Sequence, residues 1–141
     1  MVQLIVGKKG KGKTKCLLDK VNTEVKNVLG SIAFLDKSTK HMYELNNKIR
    51  LIDVSAFPLK NSDEFVGFVC GIISQDHDLE KMFLDSFIKL SHLDDDPEKM
   101  YDCIQQLKEI SRNFNVDFIL SVSLDKEELS SDLYEDILIS L

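Results

Sequence analysis

Gly7-Lys8-Lys9-Gly10-Lys11-Gly12-Lys13-Thr14 lies directly after the apolar run Val2-Gln3-Leu4-Ile5-Val6 and directly before a stretch whose apolar residues recur at helical spacing. The run of alternating glycine and lysine cannot itself be a strand or a helix, because glycine gives up too much conformational freedom in either. It reads as a turn between the two. Three glycines in that turn allow the backbone to curl and point several N–H groups to one side, which side chains would obstruct. A helix starting at its end adds the partial positive charge of its N-terminus. Strand, glycine loop and helix in that order predict a parallel α/β architecture with an anion site at the strand's carboxyl end.

The rest of the chain agrees with this start. Short apolar runs of strand length recur at 2–6, 32–35, 49–54, 82–84 and 116–122. Helical spacing fills most of the intervals. Leu17, Leu18, Val21, Val25 and Val28 form one stripe over 13–28. Phe65, Phe68, Val69, Ile72 and Ile73 form another over 63–74, introduced by Asn61 with Glu64 three places on, a helix-start capping pattern. A third carries Met100, Ile104, Leu107 and Ile110 after Asp94-Asp95-Asp96, with Pro97 in its first turn. Strands separated by helices of this length pair in parallel through crossovers. The expected fold is a three-layer α/β/α sandwich with a mainly parallel five-stranded sheet, built as one domain over 1–141. The interval 37–48 suggests a short helix over 42–45, and within the tail 127–141 the segment 137–141 fits either a last strand or the end of a helix.

Composition narrows the function. Eighteen Lys and Arg against 24 Asp and Glu leave a net charge of −6, which argues against a broad, sequence-independent grip on DNA or RNA. Lys8, Lys9, Lys11, Lys13 and Lys15 form the basic exception to that acidic background. The cysteines, Cys16, Cys70 and Cys103, are odd in number and lack C-x-x-C spacing, so neither a disulfide framework nor a zinc site is indicated. His41, His77 and His92 show no ligand spacing. The longest apolar stretch, 65–73, is too short to span a bilayer, and no cleavable leader pattern opens the chain, so a cytoplasmic protein without membrane attachment is expected.

The loop matches G-x-x-x-x-G-K-[ST], the P-loop pattern, in its confirming context of strand before and helix after. The ligand it implies is a nucleoside triphosphate, ATP with Mg²⁺. Gly7, Gly10 and Gly12 supply the cradle. Lys13 reaches the β and γ phosphates and so serves both binding and catalysis, and Thr14 is a ligand of Mg²⁺. Lys8, Lys9, Lys11 and Lys15 add positive charge that steers the anion in. A second metal-side anion is needed at the end of a buried strand, and Met82-Phe83-Leu84-Asp85 provides it in Asp85.

From 2 to about 124 the chain resembles the RecA-like branch of P-loop ATPases. Ile32-Ala33-Phe34-Leu35-Asp36 is similar to that branch's second strand, Asp85-Ser86 to its magnesium-side Asp-Ser, and Ser121 or Ser123 to the polar strand tip that senses the γ-phosphate. The resemblance implies the P-loop NTPase fold and ATP hydrolysis. Two departures qualify it. The branch's catalytic glutamate falls at Ser38, which leaves Asp36 as the nearest candidate base. Arg50 and Arg112, the two arginines of the chain, each precede an expected strand and so belong at the wrong end of the sheet for an arginine finger. The intervals that carry DNA-binding loops in recombinases are short and acidic here, so DNA binding is not carried over. These features favour a slow ATPase or ATP-driven switch whose site is completed by a protein partner or a second copy of the chain. Lys37, Lys40, Lys89 and Lys126, all after strands, are candidates for such a contribution from a neighbouring copy. The alternatives are a nucleotide-binding module that does not hydrolyse, and a nucleoside or small-molecule kinase.

Overall fold

The computed structural model describes residues 1–94 and 96–141; Asp95, part of the acidic run expected before the third helix, lies outside the described residues. Six strands form one sheet: β1 (Val2–Val6), β2 (Ser31–Asp36), β3 (Ile49–Asp53), β4 (Leu79–Leu84), β5 (Asp117–Val122) and β6 (Ile137–Ser140). Their order is β3-β2-β4-β5-β1-β6, and all five pairings are parallel. The helices are α1 (Lys13–Glu24), α2 (Ser62–Ser74), α3 (Phe87–Leu90) and α4 (Pro97–Phe114).

Side chains alternate across a strand, and that alternation divides the apolar residues into two cores. Ile5, Ile32, Phe34, Phe83 and Ile119 point to one face and meet Leu17, Leu18 and Val21 of α1. Leu4, Val6, Ala33, Leu35, Met82, Leu84, Phe118 and Leu120 point to the other and meet Phe65, Val69 and Ile72 of α2 and Ile104 and Leu107 of α4. Helices therefore cover both faces, as a parallel sheet requires. Phe34 and Phe83 have no exposed surface and stack at 6.4 Å between ring centroids. Each such side chain contributes about 1.5–3 kcal/mol by leaving water.

Helix starts follow local chemistry. Asn61 accepts the Glu64 N–H at 2.9 Å at the head of α2. Asp96 accepts the Lys99 N–H at 3.1 Å ahead of Pro97 at the head of α4. By contrast, α1 starts on Gly12 in the left-handed region (φ 96°) without a side-chain cap.

The structure corrects the sheet from five strands to six. The tail runs through 3₁₀ segments at Lys126–Glu128 and Ser131–Asp136, with Leu129 and Leu133 buried in the main core, and ends as β6 beside β1. β6 is a short edge strand, Ile137-Leu138-Ile139-Ser140, with Leu138 exposed. β4 begins three residues earlier than its apolar run because Glu80 and Lys81 are spent on contacts at the sheet's amino edge. α1 ends at Glu24 rather than near Val28, yet Val25 and Val28 still pack against its core. The turn at Met42–Glu44 is a single 3₁₀ turn. No helix among the described residues is long and apolar enough to cross a membrane.

Candidate functional site

The register of the sheet sets three polar side chains in a row at its carboxyl edge. Leu35 pairs with Leu84 and Leu84 with Leu120, so Asp36, Asp85 and Ser121 each stand one step past an aligned position. Each is two residues beyond a side chain of the α1-side core, Phe34, Phe83 or Ile119, so alternation turns all three towards α1. The Asp85 N–H extends the ladder to the Leu35 carbonyl at 3.0 Å.

Thr14, on the first turn of α1, meets this row. Its Oγ1 donates to Asp85 at 3.2 Å from Oδ1 and 3.1 Å from Oδ2, joining residues 71 apart in the chain. The Ser121 hydroxyl donates to Asp85 Oδ1 at 2.6 Å and accepts the Ser86 N–H at 2.7 Å. Asp85 is 3% exposed. Lys13 is also buried, with Nζ donating to the Lys8 carbonyl at 3.0 Å. Burial pulls the Lys13 pKa down, and the Asp85 carboxylate nearby opposes that shift.

Around these groups opens a cleft of about 840 Å³ whose wall includes Lys9, Gly10, Gly12, Lys13, Thr14, Lys37, Asp85, Ser86, Lys89, Ser121 and Ser123. Gly10 (φ 86°) and Gly12 (φ 96°) adopt a conformation that L side chains rarely reach, which keeps the loop's amides at the cleft. By helix geometry the first amides of α1 have no partner inside the helix, and no side chain caps them.

Other residues expected at the site stand elsewhere. Gly7 is buried behind the cleft with φ 152°, and a Cβ there would come within 3.1 Å of the Leu141 side chain and carbonyl. Lys8 turns away to Glu128, with Asp125 at 4.0 Å, and only its carbonyl serves the loop. Lys11 and Lys15 are exposed and off the cleft wall. Asp36 is 1% exposed and also off the wall; its Oδ1 accepts the Lys37 N–H at 2.7 Å and its Oδ2 has no hydrogen-bond partner among the described residues. Burial raises its pKa, the Lys37 N–H opposes this, and the like charge of Asp85 adds to the rise.

Ser86 was not singled out as a site residue, and Lys37 and Lys89 were expected to act from a neighbouring copy. In the structure all three line this chain's own cleft. The signal was position: Lys37 directly follows β2, and Ser86 and Lys89 follow β4. Ser86 takes a left-handed conformation (φ 56°) that swings α3 back over the sheet edge. The arginines are remote from the cleft. Arg50, inside β3 rather than before it, pairs with Asp76 at 2.9 Å, and Arg112 sits in the last turn of α4.

Among the described residues, no three His, Cys, Asp or Glu side chains converge as a metal-binding group. Thr14 and Asp85 are hard oxygen donors of the kind Mg²⁺ takes together with water and phosphate oxygens. Comparison with protein-family models and with curated proteins found no match to this chain.

Proposed function

We propose that this chain is a P-loop protein that binds ATP with Mg²⁺, built on a RecA-like ATPase core. The observation that carries the reading is the meeting of Thr14 and Asp85 within 3.2 Å at the mouth of the glycine loop. Thr14 is the loop motif's residue for the metal and Asp85 the strand-end anion expected beside it, and the chain separates them by 71 positions. The uncapped first turn of α1 and the buried Lys13 supply what a phosphate chain requires: directed N–H donors and a desolvated cation. Mg²⁺ bound at Thr14 and Asp85 would neutralise phosphate charge there. Asp85 is held ready for that task by Ser121, whose hydroxyl fixes one carboxylate oxygen.

The activity proposed is slow hydrolysis or a nucleotide-driven switch. With Arg50 engaged by Asp76 and Arg112 on α4, an arginine finger has to come from a protein partner or a second copy. A second reading, binding without hydrolysis, is favoured by one feature: Asp36 is sealed from the cleft and already receives the Lys37 N–H.

Calorimetric titration with ATP, ADP and a non-hydrolysable ATP analogue, with and without Mg²⁺, tests the proposal. Micromolar binding, about −8 kcal/mol, that is lost in Lys13→Ala is the expected result. Absence of binding by any of the nucleotides refutes it. Turnover by the isolated chain above about 1 s⁻¹ would remove the need for a partner. Single-turnover conversion of ATP that survives in Asp36→Asn would remove Asp36 from the chemistry.

A further inference from the structure

The carboxyl edge of the sheet reads as a line. The glycine loop leaves β1, Ser121 and Ser123 end β5, Asp85 ends β4, and Lys37 leaves β2. A phosphate chain that starts in the loop's amides and reaches the Thr14–Asp85 pair therefore points its far end towards β4 and β2. Lys37 and Lys89 line the cleft at that far end. Lys37 arrives there because β2 ends at Asp36. Lys89 arrives because Ser86 turns α3 back over the edge, and Lys37 Nζ lies 3.4 Å from Ser86 Oγ.

These cations are gathered against their own repulsion. Lys9 from the loop, Lys37 after β2 and Lys89 on α3 line one cleft together with Asp94, and Lys37 and then Lys9 lower the Lys89 pKa. Among the described residues none of the three forms an ion pair, whereas Lys8, Lys20, Lys81 and Lys108 all do. Crowded like charge around a cleft is relieved by an anion, and most by the most highly charged one.

We infer that Lys37 and Lys89 are the residues that read the third phosphate, setting the preference for triphosphate over diphosphate from within the same chain. The inference rests on the Mg-triphosphate reading of this cleft and deepens it. The two lysines are specificity-determining groups, separate from the arginine finger that would speed hydrolysis. In the diphosphate complex their positions face water; in the triphosphate complex they close on the terminal phosphate and tie β2 and α3 to the loop.

Titration of the full chain with Mg-ADP and with a non-hydrolysable Mg-ATP analogue tests this in wild type, Lys37→Ala/Lys89→Ala, and Lys26→Ala/Lys48→Ala. The last removes the same charge from exposed positions beyond α1 and before β3. Loss of hydrogen bonds to a charged group predicts a roughly tenfold to hundredfold fall in analogue affinity for the Lys37/Lys89 variant, with ADP affinity held within about twofold. Lys37→Arg/Lys89→Arg should keep most of the preference. An unchanged analogue-to-ADP ratio in the Lys37/Lys89 variant overturns the inference while leaving the nucleotide site intact. Equal loss of both nucleotides, or the same loss in Lys26→Ala/Lys48→Ala, overturns it as general electrostatics. Failure of wild type to bind either nucleotide overturns the underlying reading as well.

Discussion

The two edges of the sheet treat charge in opposite ways. At the amino edge, most charges are paired: Arg50 and the Ser31 hydroxyl converge on Asp76, the Met1 ammonium on Asp117, and Lys20 and Lys81 on one oxygen of Glu24, whose other oxygen has no partner among the described residues. At the carboxyl edge, charges are crowded or stranded. Lys13 is buried with a carbonyl for partner, Asp36 has an oxygen with none among the described residues, and Lys9, Lys37 and Lys89 line one cleft. A buried charge without a partner costs stability, and on the proposed nucleotide reading a phosphate chain would supply a partner to the lysines of the carboxyl edge. One edge holds the fold together; the other is held in tension by it.

The largest effect should come from breaking the amino edge at its tightest point. Gly30 passes against the Asp78 backbone, and a Cβ there would lie 1.9 Å from the Asp78 carbonyl oxygen. Backbone cannot yield as a flexible side chain does, and the Gly30 N–H is also bonded to Glu80. Gly30→Ala should cost about 3 kcal/mol, read as a fall in the urea midpoint of about 1–2 M. The protein that remains folded should bind Mg-ATP as before. Equal loss of affinity and stability would mean that the two edges are not separable.

Asp36→Asn tests the other edge and should show a smaller effect. The Asp36 carboxyl titrates higher in the folded chain than in the unfolded one, so between those two values the folded state holds more protons. Stability therefore falls as pH rises through that window, and the full cost of the charge remains above it. Asparagine keeps an acceptor for the Lys37 N–H and carries no charge. Its stability relative to wild type should rise by about 1 kcal/mol between about pH 4 and about pH 8, measured by denaturant melts across that range. A constant difference across the range would show that Asp36 is not penalised by its burial.

This contrast explains how much the sequence disclosed. The loop, its strand and its helix were legible because glycine spacing, a run of apolar residues and a switch of period are local signals, and they located Lys13 and Thr14. Asp85 was legible because it closes an apolar run. Long-range geometry was not. Lys8 leaves the cleft for Glu128, 120 positions away, which nothing near residue 8 announces. Asp36 reads in the sequence as a strand-end candidate base, yet β3 and β4 flank β2 in register and the Lys37 amide folds back on the Asp36 carboxylate. β6 stayed undecided between a last strand and a helix end because an edge strand is defined by its neighbour, and Ile137 and Ile139 gain their meaning only beside β1.

The smallest effect, and the sharpest on the matched edge, is expected from Arg50→Ala. The Asp76 carboxyl is held below the usual carboxylate range first by the Ser31 hydroxyl at 2.7 Å, with the Asp78 N–H and then Arg50 adding less. Arg50 is 44% exposed on its side chain, so water and salt screen most of its attraction to Asp76. Its removal should cost no more than about 0.5–1 kcal/mol in dilute buffer, and the cost should largely vanish at about 1 M salt. Ser31→Ala should cost more at both salt levels, because a hydrogen bond to a carboxylate is not screened as an exposed ion pair is. In both backgrounds the contribution of Asp76 is present at neutral pH and is lost as pH falls through its lowered folded value. If Arg50→Ala proved the larger of the two and stayed so at high salt, the amino edge would depend on its ion pairs rather than on the hydroxyl and amide bonds that hold them in register.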